Sequence, residues 1–273
     1  MKSYKDVFSD LKRQHRAALI PFFVIGDPDY DTSLAVVKAA VNAGADVLEL
    51  GIPFSDPIAD GPTIQKADVR SMRNGMNTRK ASAFIREVKR HKDIPIGLLM
   101  YCNPIQQYGA ERFFRDFHDA GVNSVLVADV SIDDAEEIVG PAAAAGLDTV
   151  FMVTPNTDPD RMQRIAAKTT GFVYTVSLLG VTGTRESLSG AVEGLVRRLK
   201  SLTDVPICVG FGVSKPEHAR TLADAGADGV IIGSRLVAMI EDHLAQPRLA
   251  IPEITRLLTE VKDVLKPKSR QKR

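Results

Sequence analysis

Tryptophan is absent from this 273-residue chain, and cysteine occurs only twice. Cys102 and Cys208 lie far apart in apolar, strand-like runs, so two buried free thiols are expected and a disulfide-stapled secreted fold is excluded. Neither sign of charge prevails. The 35 Lys and Arg residues against 34 Asp and Glu leave a net charge of +1, too weak a field to gather nucleic acid or an anionic membrane. Long apolar runs are missing as well: Met1 to Arg16 interleaves charged and apolar residues, which argues against a signal peptide or a membrane span and predicts a cytoplasmic protein. No Gly-x-Gly-x-x-Gly turn follows the first apolar run, no Gly-x-Ser-x-Gly elbow occurs, and no lysine ends a predicted strand where a Schiff base would form. His15, His91, His118, His218 and His243 fall on predicted helices without metal-binding spacing, so no metal site is expected. No Gly-, Ser- or Pro-rich linker interrupts residues 1–265, which predicts one domain there; residues 266–273 form a basic tail expected to be frayed and solvated.

What is present is a repeated alternation. A polar helix end, an Ala-Gly stop and an apolar run recur as Asn42-Ala-Gly-Ala-Asp-Val-Leu, Asp119-Ala-Gly-Val-Asn-Ser-Val, Ala144-Ala-Gly-Leu-Asp-Thr-Val and Asp224-Ala-Gly-Ala-Asp-Gly-Val. Each reads as a helix C-terminus delivering the chain into a buried strand. Further continuous apolar runs at Ala18–Ile25, Ile94–Tyr101, Phe172–Ser177 and Pro206–Gly210 suit strands covered on both faces. Helical spacing marks 31–42, 78–92, 110–120, 158–168 and 215–225, and Ser3–His15 predicts an additional N-terminal helix closing the bottom of the sheet. About eight strands result, the number that closes an α/β (β/α)8 TIM barrel. An open doubly wound sheet alternates in the same way, and only its dinucleotide-binding version is disfavoured by the missing glycine turn.

In such a barrel the chemistry gathers after the strands. Glu49 closes the run Val47–Leu50, and Asp60 ends the Pro-rich loop that follows, so a strand end and its loop aim two carboxyls at one cavity. Partial burial of Glu49 predicts a raised pKa and a proton-transfer role, against the plainer alternative of a strand-end glutamate bonded to backbone donors beside a turn aspartate. Asp27, Tyr101, Asn103 and Asp129 occupy comparable strand-end positions. Gly210-Phe211-Gly212 and Gly233-Ser234 follow the last two predicted strands, where backbone N–H groups and a helix N-terminus at Ser234 predict a phosphate site, although Gly-Phe-Gly alone is also a tight turn. The segment 178–186 reads as a lid hinged at Gly180 and Gly183, or as an ordinary strand-to-helix loop capped by Thr184.

Glu49, Gly51, Pro53, Ser55-Asp56-Pro57, Asp60-Gly61-Pro62 and Gln65, continued by Gly26-Asp27-Pro28, Gly97–Tyr101, Val127–Asp129, Tyr174, Gly180–Gly183, Gly210–Gly212 and Gly233-Ser234, resemble the signature of the tryptophan synthase alpha subunit family along nearly the whole chain. The resemblance implies retro-aldol cleavage of indole-3-glycerol phosphate to indole and glyceraldehyde 3-phosphate. Glu49 becomes the expected general acid and base, and Asp60 the ionised partner of the indole N–H. Phe22, Leu99, Leu126, Phe211 and Ile231 are expected around the ring, Tyr174 and Thr182 beside the substrate, and Gly183, Gly212, Gly233 and Ser234 at its phosphate. No cofactor is implied on this chain. The pyridoxal phosphate (PLP) belongs to a beta subunit, which would dock on Asp56, Pro57, Asn103 and Asp129 in an alpha2-beta2 tetramer. Leu178 stands where the family more often has arginine, so that arginine's loop contact is not carried over. The lack of tryptophan is in keeping with an enzyme that makes it. Three alternatives share much of this pattern: a stand-alone lyase releasing free indole, a phosphate-binding barrel isomerase with other acids, and a non-catalytic activating subunit.

Overall fold

The computed structural model of the chain describes residues 1–176, 185–210 and 212–266. Nine parallel strand segments form one sheet: β1 (Ala18–Val24), β2 (Leu48–Gly51), β3 (Ile96–Met100), β4 (Ser124–Val127), β5 (Asp148–Thr149), β6 (Phe151–Val153), β7 (Val173–Val176), β8 (Ile207–Gly210) and β9 (Gly229–Ile232). Their order is β5-β4-β3-β2-β1-β9-β8-β7-β6. The two ends of that series are one stretch of chain. Asp148 and Val150 donate backbone N–H bonds to Asn123 and Val125 beside β4, whereas Phe151, Met152 and Val153 pair with Val173, Tyr174 and Thr175 of β7. The fifth expected strand is thus split at Val150, its first half bonded to one neighbour and its second half to the other. That switch closes the barrel, and it is why nine segments stand where about eight strands are expected.

Twelve α-helices accompany the strands among the described residues: α1 (Tyr4–Arg13), α2 (Tyr30–Asn42), α3 (Pro62–Arg73), α4 (Thr78–His91), α5 (Cys102–Tyr108), α6 (Ala110–Ala120), α7 (Glu136–Ala144), α8 (Pro159–Lys168), α9 (Arg185–Lys200), α10 (Pro216–Asp224), α11 (Ser234–Glu241) and α12 (Ala250–Val264). None is long and apolar enough to cross a membrane. Residues 267–273 of the expected tail lie outside the described residues.

The Ala-Gly repeat does what its chemistry requires. Gly44, Gly121, Gly146 and Gly226 take φ of +105°, +104°, +80° and +93°, the left-handed turn that ends a helix and that a Cβ disfavours. Two residues on, an Asx side chain receives a strand N–H: Leu19 donates to Asp46 at 2.9 Å, Ile96 to Asn123 at 3.0 Å and Ile207 to Asp228 at 2.9 Å. The repeat therefore supplies both the turn and a clamp on the neighbouring strand.

Strand alternation divides the core in two. Leu19, Phe23, Leu48 and Leu50 face the helices, whereas Ala18, Ile20, Phe22 and Val24 fill the barrel interior. Helix α1 closes the bottom, as expected: its Tyr4, Phe8 and Leu11 join the interior cluster, and the Tyr4 hydroxyl is 2.7 Å from Ser124 Oγ. Ser3 caps this helix through a reciprocal bond pair with Asp6.

Asp46 also accepts from Arg16 at 3.1 Å and from Lys262 of α12, linking the strand bottoms to the last helix. Burial pulls the Lys262 ammonium pKa down, and the neighbouring Asp46 charge opposes that pull. Replacing Asp46 by Ala leaves two half-buried cations and the Leu19 N–H without their acceptor, and should cost about 3 kcal/mol in urea unfolding. A midpoint unchanged from the parent would show that the cluster adds nothing to stability.

Candidate active site

Register places Glu49 inside the barrel. It pairs with Phe22 of β1 and Gly97 of β3, and its neighbours Leu48 and Leu50 turn outward under the helices. The side chain is 3% exposed, and its Oε2 has no hydrogen-bond partner among the described residues. Burial first, and the charge of Asp60 second, push its carboxyl up to about 8 from an ordinary 4.5. The plainer alternative, a glutamate bonded to backbone donors, leaves no room for an unpartnered Oε2.

Asp60 approaches from the loop between β2 and α3. Tyr101, at the end of β3, donates its hydroxyl to Asp60 Oδ2 at 2.7 Å, accepts the Ala59 N–H at 3.1 Å and stacks on Phe54 at 5.2 Å between ring centroids. The Gln65 amide donates to the Asp60 carbonyl at 2.9 Å from the first turn of α3. Burial raises the Asp60 pKa and the Tyr101 hydrogen bond opposes the rise. Of the two carboxyls, the deeper Glu49, without a donor, holds its proton more tightly than the half-buried Asp60, whose charged form the Tyr101 hydroxyl favours. Helix α3 is itself pinned: Arg70 makes two bonds to buried Asp27, at 2.7 and 3.0 Å, and Ser71 donates to the Ile25 carbonyl at 2.6 Å. The next turn carries Asp68, buried and pushed up to about 8 by burial and then by Asp60 and Asp27.

Both acids open onto a cavity of about 440 Å³ whose other walls include Phe22, Leu99, Tyr174 and Ile231. Small residues make the space. A Cβ at Gly210 would collide with the Tyr174 hydroxyl, and one at Gly233 would lie 3.1 Å from the Phe22 ring. Gly212, Ser214, Gly233, Ser234 and Arg235 line the same cavity. Helix α11 begins there with no side-chain cap, so its first N–H groups and the positive end of its dipole are available to an anion. The cavity lining thus combines two acids, apolar side chains and an anion-accepting helix start.

The sequence model of the family described as "Tryptophan synthase alpha chain" matches residues 8–266. This chain belongs to the tryptophan synthase alpha chain family. It is 43% identical to the alpha chain of Methanothermobacter thermautotrophicus over 260 residues, 95% of each chain. With that of Arabidopsis thaliana it shares 39% identity over 260 residues, 95% of this chain and 94% of the relative. Among solved structures it superposes on tryptophan synthase subunit alpha from Legionella pneumophila with a TM-score of 0.89 at 30% identity, covering 97% of this chain and 98% of the other. The tryptophan synthase complex from Pyrococcus furiosus contains a chain matching with a TM-score of 0.83 at 38% identity, over 91% of this chain and 98% of that one.

The residues that the family resemblance singles out are largely brought together. Glu49, Asp60, Phe22, Leu99, Tyr174, Ile231, Gly212, Gly233 and Ser234 share the cavity. Leu126 does not: at 3% exposure it packs into the barrel interior, beside Leu99 in register but away from the cavity. Thr182, Gly183 and Phe211, with the expected lid, lie outside the described residues. Asp56, Asn103 and Asp129 are exposed on the rim and Pro57 is half-exposed, with Ile58 81% exposed at the same loop tip. Asp129 accepts the Cys102 N–H at 2.8 Å. Among the described residues no cluster of His, Cys, Asp and Glu is arranged to hold a metal ion. The sequence reading assigned no role to Tyr101, Asp68, Ile64, Ser214 or Arg235. Only Tyr101 carried a signal, as an aromatic residue ending a predicted strand.

A carboxyl whose folded pKa lies above its unfolded value stabilises the fold fully below the unfolded value, and that contribution disappears as pH rises toward the folded value, here from 4.5 to about 8. Glu49→Gln has no proton to lose. Its stability relative to the parent should therefore improve by on the order of 2 kcal/mol between pH 5 and pH 8.5 in paired urea titrations. Parallel pH slopes for the two proteins would mean that Glu49 ionises in the folded state as it does in water.

Proposed function

We propose that this chain cleaves indole-3-glycerol phosphate to indole and glyceraldehyde 3-phosphate by a retro-aldol reaction. The observation that carries the proposal is the buried, unpartnered carboxyl of Glu49 facing the same cavity as Asp60 and an anion-accepting helix start. At neutral pH Glu49 starts protonated. It gives that proton to C3 of the indole, which turns the ring into an iminium-like electron sink. The carboxylate left behind then takes the proton of the glycerol hydroxyl nearest the ring. As that C–O bond becomes a carbonyl, the C–C bond breaks and its electrons restore the aromatic ring. The proton count closes, with Glu49 passing through one cycle as acid and then base. Asp60 carries the negative charge that matches the positive charge growing on the indole, and it accepts the N–H bond. Phe22, Leu99 and Ile231 exclude water from the ring, while Gly212, Gly233 and Ser234 receive the phosphate.

The indole would pass to a beta subunit in an alpha2-beta2 assembly, and the pyridoxal phosphate of tryptophan synthesis would reside on that partner. The exposed Asp56, Pro57 and Ile58 tip, with Asn103 and Asp129 beside it, supplies the docking rim. No cofactor enters the cleavage itself, because the protonated indole ring receives the electrons.

Incubating the purified chain with indole-3-glycerol phosphate, and following indole with and without beta subunit, tests the reading. Glu49→Gln should lower turnover by about 10²- to 10⁴-fold without unfolding the protein. Full turnover by that variant would remove Glu49 from the mechanism.

Docking on the loop tip should raise the cleavage rate by adjusting Asp60, since Asp56 and Asp60 share one short loop. Asp56→Ala should reduce the stimulation several-fold, and more than it reduces the slow activity of the chain alone. Fast cleavage by the chain alone, with no complex detectable by calorimetry, would instead indicate a lyase that releases free indole.

A further inference from the structure

We propose that Arg235 binds the phosphate dianion of the substrate; this rests on the phosphate reading given above. The cavity wall carries two acids, Glu49 and Asp60, and among its described residues Arg235 is the one cation. A dianion would be repelled by Asp60 wherever it bound, and the neutral dipoles of glycine N–H groups offset only part of that. The neighbouring cations are already committed. Arg70 is bonded to Asp27 and lies 3.9 Å from Glu241, and Lys66 pairs with Glu241 at 2.9 Å. Arg235 has no hydrogen bond or ion pair among the described residues.

Its position is also unfavourable unless an anion is near. Arg235 is the second residue of α11, where a cation opposes the positive end of the helix dipole, and the helix lacks a side-chain cap that would soften the effect. A phosphate lying against Gly233 and Ser234 reverses the sign, because the dipole and the guanidinium then act on it together. The forked N–H donors of arginine match two phosphate oxygens, which a lysine ammonium cannot do. In the same cavity the buried Oε2 of Glu49 has no partner among the described residues, so a second polar group there is left to be completed by a ligand. With two carboxyls and one guanidinium in the same lining, an anionic group is drawn to the guanidinium and away from the acids.

The phosphate does not change charge during C–C cleavage, so Arg235 should act equally on ground and transition states and its loss should appear in KM rather than in kcat. The test is calorimetric titration of the full chain with glycerol 3-phosphate at low ionic strength, together with kinetics on indole-3-glycerol phosphate. Arg235→Ala and Arg235→Gln should weaken glycerol 3-phosphate about tenfold, the lower range for a charge-assisted bond because the side chain is exposed, and should raise KM by a similar factor. Arg235→Lys should recover part of the affinity, and binding of indole, which has no phosphate, should be unaltered. Using both Ala and Gln guards against a folding defect in one of them, which a melting curve would reveal. If the parent binds glycerol 3-phosphate competitively and both variants bind it equally well, Arg235 is idle while the phosphate site stands. If the parent itself shows no competitive binding, the phosphate reading fails and this inference fails with it. Loss of indole binding in parallel with glycerol 3-phosphate would overturn the inference in favour of a general packing role.

Discussion

Closure of the parallel sheet is the constraint from which the site follows. One six-residue stretch, 148–153, bonds to β4 with its first half and to β7 with its second, so every strand is held between two neighbours and all their C-terminal ends emerge on one rim. Residues separated by almost the whole chain, such as Phe22 and Ile231, thereby reach one cavity. The interior that closure encloses is largely apolar, filled from below by α1. A carboxyl placed there cannot ionise at its ordinary pH, and Glu49 owes its proton to this enclosure more than to any single neighbour.

The two acids differ because their supports differ. Glu49 stands on a strand, fixed by the ladder on both sides and deprived of donors. Asp60 stands on a loop, yet it is held as firmly by other means: a phenol hydroxyl on its carboxylate, a glutamine on its carbonyl and a helix anchored by the Arg70–Asp27 pair. A donor lowers the energy of a carboxylate and its absence raises it, so the rise that burial causes is opposed at Asp60 and unopposed at Glu49. The cleavage proposed above needs this asymmetry, since one carboxyl would give a proton to the ring and the other would steady the charge that results.

What could be read from the sequence was whatever local chemistry dictates. The left-handed glycines after α2, α6, α7 and α10 announced the strand starts, and the position of Glu49 at a strand end, with Asp60 on the loop that follows, pointed both acids at one cavity. Depth was not legible. Leu99 and Leu126 are side by side in the ladder and equally apolar, and only the tilt of strands in a closed barrel decides that one reaches the cavity and the other stays in the interior. Long-range partners were equally hidden: nothing near Asp60 foretells a hydrogen bond from Tyr101, 41 positions away. Helix α7 lacked a clear helical signal because Gly140 and Pro141 stand in its middle, between Ile138-Val139 and the alanines that follow. The break at Val150 left no mark in composition, because it arises from a change of hydrogen-bonding partner.

The loop from Pro53 to Asp60 shows how an outer surface and an inner charge can be one mechanical object. Its tip is tied internally, with the Ile58 N–H donating to Asp56 at 2.9 Å and the Asp60 N–H to Pro57 at 3.0 Å, so the exposed turn and the acid are consecutive links of one hydrogen-bonded chain. The Tyr101 oxygen then holds Ala59 and Asp60 together against the rim, and Phe54 stacks on the same ring from the other end of the loop. A loop so fastened has little slack in which a push on Asp56 could be lost. Displacing the tip must tilt the Tyr101 contact or break it, and either change alters the donor on which the Asp60 charge depends. Coupling of this kind is symmetric in free energy: a ligand that draws Asp60 inward also selects the position of the tip that a docking partner meets.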